Sequence, residues 1–261
     1  RLLFGRPANV MKPDWLKIDL RTKGSTGETA GIIERHRLNT ICTSGLCPNR
    51  HECWAARTAT IMIGGDVCTR NCRFCNTMSG RPKPLDPMEP GHVAATVKAL
   101  GLRYAVITSV DRDDLPDYGA AHWVETIKAI GRLNPETRIE VLLPDFMGRA
   151  DLLGMVLDTR PYVAGHNLET VRRLTPSVRS VASYDRSLDV LRIIAAHGTS
   201  AKTGRDRRRG GTNHGRHSFN RLPPPDHRPI PATNGPPPAR GGIHSPRQVC
   251  RLPQDGPGQG L

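Results

Sequence analysis

No apolar run in this 261-residue chain is long enough to cross a bilayer, which argues against a membrane-spanning protein. The opening stretch, RLLFGRPANV, has no signal-peptide pattern. The cysteines are therefore expected to be cytosolic metal ligands rather than disulfides, and the protein cytoplasmic. An Arg in place of Met at position 1 suggests a fragment or an unusual start. Lysine and glutamate are missing altogether from residues 205–261, which hold ten Arg and three Asp, half of the formal net charge of +14. The same stretch has eleven Pro, nine Gly and one aromatic residue, Phe219, a composition that cannot bury a core. Charge concentrated there argues against the nucleic-acid partner that +14 would otherwise suggest. Three readings of the tail compete: a basic disordered arm for polyanions, a flexible linker, or out-of-frame translation of a GC-rich gene. Arg without any Lys or Glu favours the last.

Against those absences stand six cysteines in the first third of the chain. They form two triplets, Cys42-x4-Cys47-x5-Cys53 and Cys68-x3-Cys72-x2-Cys75. A structural zinc site needs four closed ligands, whereas three thiolates on a four-iron cluster leave one iron open to an exogenous ligand. The second triplet has that incomplete shape. As a zinc site the first would need His51 or His36 as a fourth ligand. The seventh cysteine, Cys250 in RQVCRLP, reads as a free thiol in the tail.

Between residues 59 and 198 strands and helices alternate. Apolar runs predict strands at 59–64, 104–108, 138–143 and 162–164, and helical periodicity predicts helices at 93–100, 123–133, 150–157 and 187–196. Gly101 and Gly198 are the expected stops of the first and last helices. Four β-α repeats with buried parallel strands predict a partial TIM-type (β/α) barrel, an α/β fold whose active residues collect where strands end. The expected organisation is an N-terminal extension at 1–57 with no strong period around its cysteines, the partial barrel at 58–204, and the tail at 205–261.

The CxxxCxxC spacing of Cys68, Cys72 and Cys75 resembles the signature of radical S-adenosylmethionine (SAM) enzymes. Around the two triplets the chain reads TSGLCPNRHECW, TATIMIGGDVCTRNCRFC, LDPMEP, ITSVDRDDL, IEVLLPDF and GHNLETVRRL. Taken in this order, from about Lys12 to about Gly204, these segments resemble the lipoyl synthase family. The resemblance implies two 4Fe-4S clusters. One, on the second triplet, binds SAM; an auxiliary cluster on Cys42, Cys47 and Cys53 gives up sulfide. It further implies sulfur insertion at C6 and C8 of octanoyl groups carried by lipoyl domains of 2-oxoacid dehydrogenase complexes and by the glycine cleavage H protein. The electron donor would be a flavodoxin or ferredoxin. An unactivated methylene has neither an acidic proton nor a leaving group, so a carbon radical with sulfur in contact distance is the available route. The family's auxiliary cluster also takes a serine ligand from an Arg-Ser-Ser-Tyr-like string near the C-terminus. No such string follows Gly204, so weak auxiliary-cluster binding and little lipoyl product are expected of this chain.

Thr108, Ser109, Asp111, Asp113 and Asp114 follow the second strand, where Asp111 and Asp114 either cap a turn or the string helps hold SAM, as the resemblance implies. An ammonium group suits a hydroxyl or carboxylate acceptor, which makes Ser109 and Asp111 the candidates. His166, Asn167 and Glu169 follow the fourth strand, with Asn167 and Glu169 as further cofactor candidates against local capping. Arg70 and Arg73 either offset thiolate charge or are solvated. Phe74 reads first as packing, second as cover for the cluster or adenine. Trp54 is expected to pack under the first triplet. Two other classes stay open: a zinc-stabilised polyanion-binding module, and an inactive cluster-binding scaffold.

Overall fold

The structure is a computed structural model that describes residues 26–179 and 181–203. The expectations for the tail and for Cys250 lie outside these residues. In chain order α1 (Thr26–Arg35), β1 (Asn39–Thr40), α2 (Ile41–Ser44) and α3 (Arg50–Ala55) precede β2 (Thr60–Ile63), and a small ribbon of β3 (Val67–Cys68) and β4 (Met78–Ser79) follows it. Then come α4 (Glu89–Leu100), β5 (Tyr104–Ser109), α5 (Ala120–Leu133), β6 (Arg138–Leu142), α6 (Ala150–Leu157), β7 (Val163–Gly165), α7 (Thr175–Val178), α8 (Tyr184–Ala196) and β8 (Ser200–Lys202).

The main sheet has the order β1-β2-β5-β6-β7-β8. Its last five strands are parallel neighbours, and β1 lies antiparallel on the outer side of β2. Among the described residues the sheet stays open, so the partial (β/α) barrel expected from the repeats is the architecture found. Because side chains alternate along a strand, each strand serves two faces. Ile61, Ile63, Ile107 and Val141 join Val97, Trp123, Ile130 and Leu153 of the helices in one buried apolar cluster. Met62, between the two isoleucines, belongs to a separate cluster with Cys68 and Val110. Near-continuous apolar strands are what a sheet covered on both faces requires.

Local chemistry sets the helix ends. Gly101 closes α4 in the left-handed conformation, φ 63°, at no steric cost, and its N–H bonds back to the last turn. Ser183 caps α8 by accepting the Arg186 N–H. The Asp117 carboxylate accepts the Gly119 and Ala121 N–H groups ahead of α5. The Asp117 and Ser183 bonds explain why α5 and α8 begin three residues before the apolar periodicity does, at Ala120 and Tyr184, and Pro90 in the first turn favours the start of α4 at Glu89, four residues early. Periodicity reports the buried face, whereas the first turn answers to the cap.

Two features differ from the sequence expectation. A fifth parallel strand, β8, pairs with β7; its three residues carry no apolar periodicity, and they are held by backbone pairing, by Ala201 against the main core and by an ion pair of Lys202 with Glu140. The segment around the first triplet is partly helical: Cys42 lies in α2, Cys53 in α3 and Cys47 between them. Helices of four and six residues are too short to show a period. Ile33, Leu38, Cys42 and Trp54 share the main core, so residues 26–57 are packed into the barrel. Among the described residues no helix is long and apolar enough to cross a membrane.

Candidate active site

A cavity of about 390 Å³ opens where β5, β6 and β7 end. The loop after β2 brings Cys68, Cys72 and Cys75 to its wall, and the ends of β5 and β7 bring Ser109, Asp111, Asn167 and Glu169. Seven of the ten residues singled out from sequence therefore meet in one place. Strand ends can do this because parallel strands all present the same backbone end to one side.

The first triplet does not line this cavity, but its segment forms part of the rim through Ile41 and Gly45. The Asn76 side-chain amide donates to the Ser44 carbonyl at 2.9 Å, tying the segment of one triplet to the loop of the other. His51 Nδ1 lies 3.3 Å from the Thr26 hydroxyl, and the His36 ring faces that of His92. Among the described residues no three His, Cys, Asp or Glu side chains converge as on a single metal ion. Ligands of a four-iron cluster sit on separate irons and stand further apart, so three thiols spread along one wall suit such a cluster.

Cys68 is buried, Cys72 half-buried and Cys75 exposed. Burial, and then the Asp111 carboxylate, push the Cys68 thiol up to about 11. The same two causes, burial first, raise Cys72. Both are thus thiols at neutral pH until a metal displaces their protons. The Asp111 and Arg70 backbone N–H groups point at the Cys68 sulfur, at 3.3 and 3.4 Å. Such donors stabilise a thiolate once it forms.

Asp111 itself is pushed up to about 6, chiefly by burial. One of its oxygens lies 3.3 Å from Arg70, the other 3.8 Å from the Cys68 thiol, and its carbonyl accepts from the Thr69 N–H and hydroxyl. It braces the cysteine loop and caps no helix. Asp114 is no cap either: it pairs with the buried Arg112 through two 2.8 Å bonds. Ser109 differs from both, because its buried hydroxyl has no hydrogen-bond partner. An orphaned buried hydroxyl on a cavity wall is costly unless a ligand completes it.

His166 is buried, and both ring nitrogens are engaged. Nδ1 donates to the Leu143 carbonyl at 2.9 Å, which leaves Nε2 to accept from the Ser187 hydroxyl at 3.0 Å. Burial pulls its pKa down to about 4. It is a neutral structural group that ties the ends of β6 and β7 to α8. Glu169 is exposed and has φ 60°, an uncommon conformation for a side chain of this kind and a frequent mark of functional loops.

Arg73 is exposed and solvated, whereas Arg70 is buried and its guanidinium pairs with Asp111, Asp113 and Asp145. Phe74 is 52% exposed on the cavity rim, which overturns the packing role: its loop projects from the core, leaving the ring as cover for the cavity. Trp54 is buried as expected. Asp145 and Arg179 had not been singled out, yet both line the cavity. Asp145 was legible, since LLPDF follows the third strand as the other polar strings follow theirs. Arg179 lies on the α7–α8 connection and carries no local signal. Its Nη1 donates to the Ser187 hydroxyl and the Asn167 carbonyl, and its buried Nε has no partner.

Residues 62–205 match the family model of the radical SAM superfamily. The chain is 64% identical over 197 residues to lipoyl synthase of Porphyromonas gingivalis, covering 75% of this chain and 70% of that one. It is 59% identical over 196 residues to lipoyl synthase of Parabacteroides distasonis, with the same two coverages. To lipoyl synthase of Bacteroides fragilis it is 56% identical over 201 residues, 77% of this chain and 70% of the relative. Among solved structures, methylornithine synthase superposes with a TM-score of 0.44 at 14% identity, over 69% of this chain and 51% of its own.

Proposed function

This chain belongs to the lipoyl synthase family of the radical SAM superfamily, and from that premise we propose that it is a sulfurtransferase acting on protein-bound octanoyl groups. The observation that carries the reading is the placing of Cys68, Cys72 and Cys75 on one cavity wall with an unpartnered serine hydroxyl. Family membership implies a 4Fe-4S cluster and SAM, and the residues fit both. Three thiols and no fourth cysteine line the cavity, leaving one coordination place for SAM. When bound, such a cluster with SAM supplies a radical able to take hydrogen from an unactivated carbon.

The chain's own part is to bind, orient and exclude water. Ser109 accepts from the ammonium of SAM, and Arg179 faces its carboxylate with an unused N–H. Asn167 and Glu169 complete the polar side of the pocket at the β7 end. Ile41, Met62, Val110 and Leu142 form the apolar side, which keeps a hydrocarbon chain dry. Cys42, Cys47 and Cys53 hold an auxiliary 4Fe-4S cluster as sulfur donor, and the Asn76–Ser44 tie supports the reading by keeping their segment beside the cavity. Cys42 and Cys47 are free thiols, whereas Cys53 is disulfide-bonded in the structure, against the expectation of reduced ligands, and ligates only once reduced. The acceptor positions are C6 and C8 of octanoyl groups on lipoyl domains and on the glycine cleavage H protein. Flavodoxin or ferredoxin donates electrons, in the cytoplasm, where thiols remain reduced.

Anaerobic reconstitution followed by absorption and electron paramagnetic resonance (EPR) spectroscopy tests the reading, and colourless, zinc-loaded protein would refute it. The out-of-frame origin of residues 205–261 rests on their Arg-only cationic composition. It is tested by the nucleotide sequence near codon 204, and by comparing lipoyl yield from this chain with that from a frame-restored one. Equal yields would reject it.

A further inference from the structure

Arg70 stands between Cys68 and Cys72, and its side chain is 3% exposed. It is held from two neighbouring strand ends. From the loop after β5, Asp113 takes a two-pronged pair of 2.7 Å bonds, while Asp111 approaches to 3.3 Å. From the end of β6, Asp145 takes a 2.7 Å bond to Nη2. Asp145 is itself completely buried, and its second oxygen meets Arg186 of α8 at 3.2 Å.

The backbone after Asp145 is unusual. Phe146, Met147 and Gly148 all have positive φ, at 42°, 53° and 78°. Two non-glycine residues in succession there cost roughly 1–3 kcal/mol each and persist only where surrounding contacts over-determine them. Asp145 supplies such contacts: its Oδ1 accepts the Met147 N–H at 3.1 Å and its carbonyl accepts the Gly148 N–H at 2.7 Å. The Met147 sulfur lies 3.5 Å from Arg70 and 3.4 Å from Arg186, closing a ring around the carboxylate. Stability alone does not call for this arrangement, because a well-packed apolar group commonly does as well as a buried ion pair. The network fixes the direction of one side chain, Arg70, and with it the loop that carries all three thiols.

We propose that Asp145 is a positioning residue for the radical cluster, acting through Arg70 to hold the Cys68–Cys75 loop in the geometry that lets the open iron take SAM. This rests on the reading of Cys68, Cys72 and Cys75 as cluster ligands. Asp145 touches no sulfur ligand; its effect passes through a guanidinium whose fork geometry lysine cannot reproduce.

The experiment is an EPR titration of the reduced, reconstituted full chain with SAM. The parent is compared with Asp145→Asn, Arg70→Lys and the double variant. Each single change should raise the SAM concentration for the half-maximal spectral change about tenfold, the low end of outer-shell effects at metal sites. The double variant should do little worse than the poorer single one, since both break one linkage. An unaltered SAM response in cluster-loaded Asp145→Asn overturns the inference, as do factors that multiply in the double variant. Should Asp145→Asn fail to fold, Arg186→Gln removes the outer contact, together with the Arg186 bonds to the Met147 sulfur and the Val181 carbonyl, and leaves the bond from Arg70 to Asp145 in place. It should then shift the response a few-fold, and no shift would equally overturn the inference. A parent chain that takes up no cluster removes the underlying reading and the inference together.

Discussion

The sulfur of Cys68 lies 3.8 Å from a carboxylate oxygen of Asp111 and accepts that residue's backbone N–H at 3.3 Å. One residue thus opposes the thiolate through its side chain and favours it through its backbone. Burial and the carboxylate prevail, and the thiol is pushed up to about 11.

The pH behaviour of the metal-free protein follows. With the folded-state value raised above the ordinary 9.0, folding retains the Cys68 proton while the unfolded chain releases it. This contribution to stability is present below pH 9 and is lost as pH rises towards 11. Denaturant midpoints of the apoprotein should fall across that window, and less so in Cys68→Ser. In the apoprotein at pH 8, iodoacetamide should label exposed Cys75 well before Cys68, as peptide mass spectrometry would show.

His166 governs the acid side. Its value near 4 against an ordinary 6.5 means that the unfolded chain binds the proton more readily. Stability from the neutral ring is present above pH 6.5 and is lost as pH falls towards 4, by about 3 kcal/mol in all. A His166→Gln variant should be less stable than the parent at pH 7 and show a flatter profile between pH 6.5 and 4. Parallel profiles of chemical denaturation would contradict this.

Ser109→Ala removes a hydroxyl that nothing in the protein satisfies. The folded protein should lose no stability, because no internal hydrogen bond is broken. Affinity for SAM should fall about three- to tenfold, the worth of one hydrogen bond. Calorimetric titration of the cluster-loaded protein would measure it, and an unchanged affinity would remove Ser109 from the site.

The two cysteine triplets should separate in function. Cys72→Ala should abolish deoxyadenosine formation, whereas Cys47→Ala should abolish sulfur transfer and spare part of the SAM cleavage. Chromatographic assay of deoxyadenosine and of lipoyl product in one reaction distinguishes them. Deoxyadenosine at the parent rate from Cys72→Ala would remove that residue from the radical cluster, and equal loss of both products in Cys47→Ala would point to collapse of the fold.

Local sequence determined much of this protein. The four main parallel strands, α6 with its bounds, the stop at Gly101 and the Cys68-x3-Cys72-x2-Cys75 loop follow from turn chemistry, burial period and spacing, all of which act over a few residues. The rule that polar strings after strands meet at one mouth placed Ser109, Asp111, Asn167 and Glu169 together, because parallel strands share one end. Tertiary structure decided what those residues do there. Asp111 became a brace and Ser109 an open acceptor only when Arg70, 41 and 39 residues away, was brought to the former and not the latter. Asp145 joins Arg70 across 75 residues, and Arg179 joins His166 through Ser187. Charge pairing and desolvation depend on distance in space, which no window along the chain contains, whereas caps and alternating burial depend on neighbours that every window does.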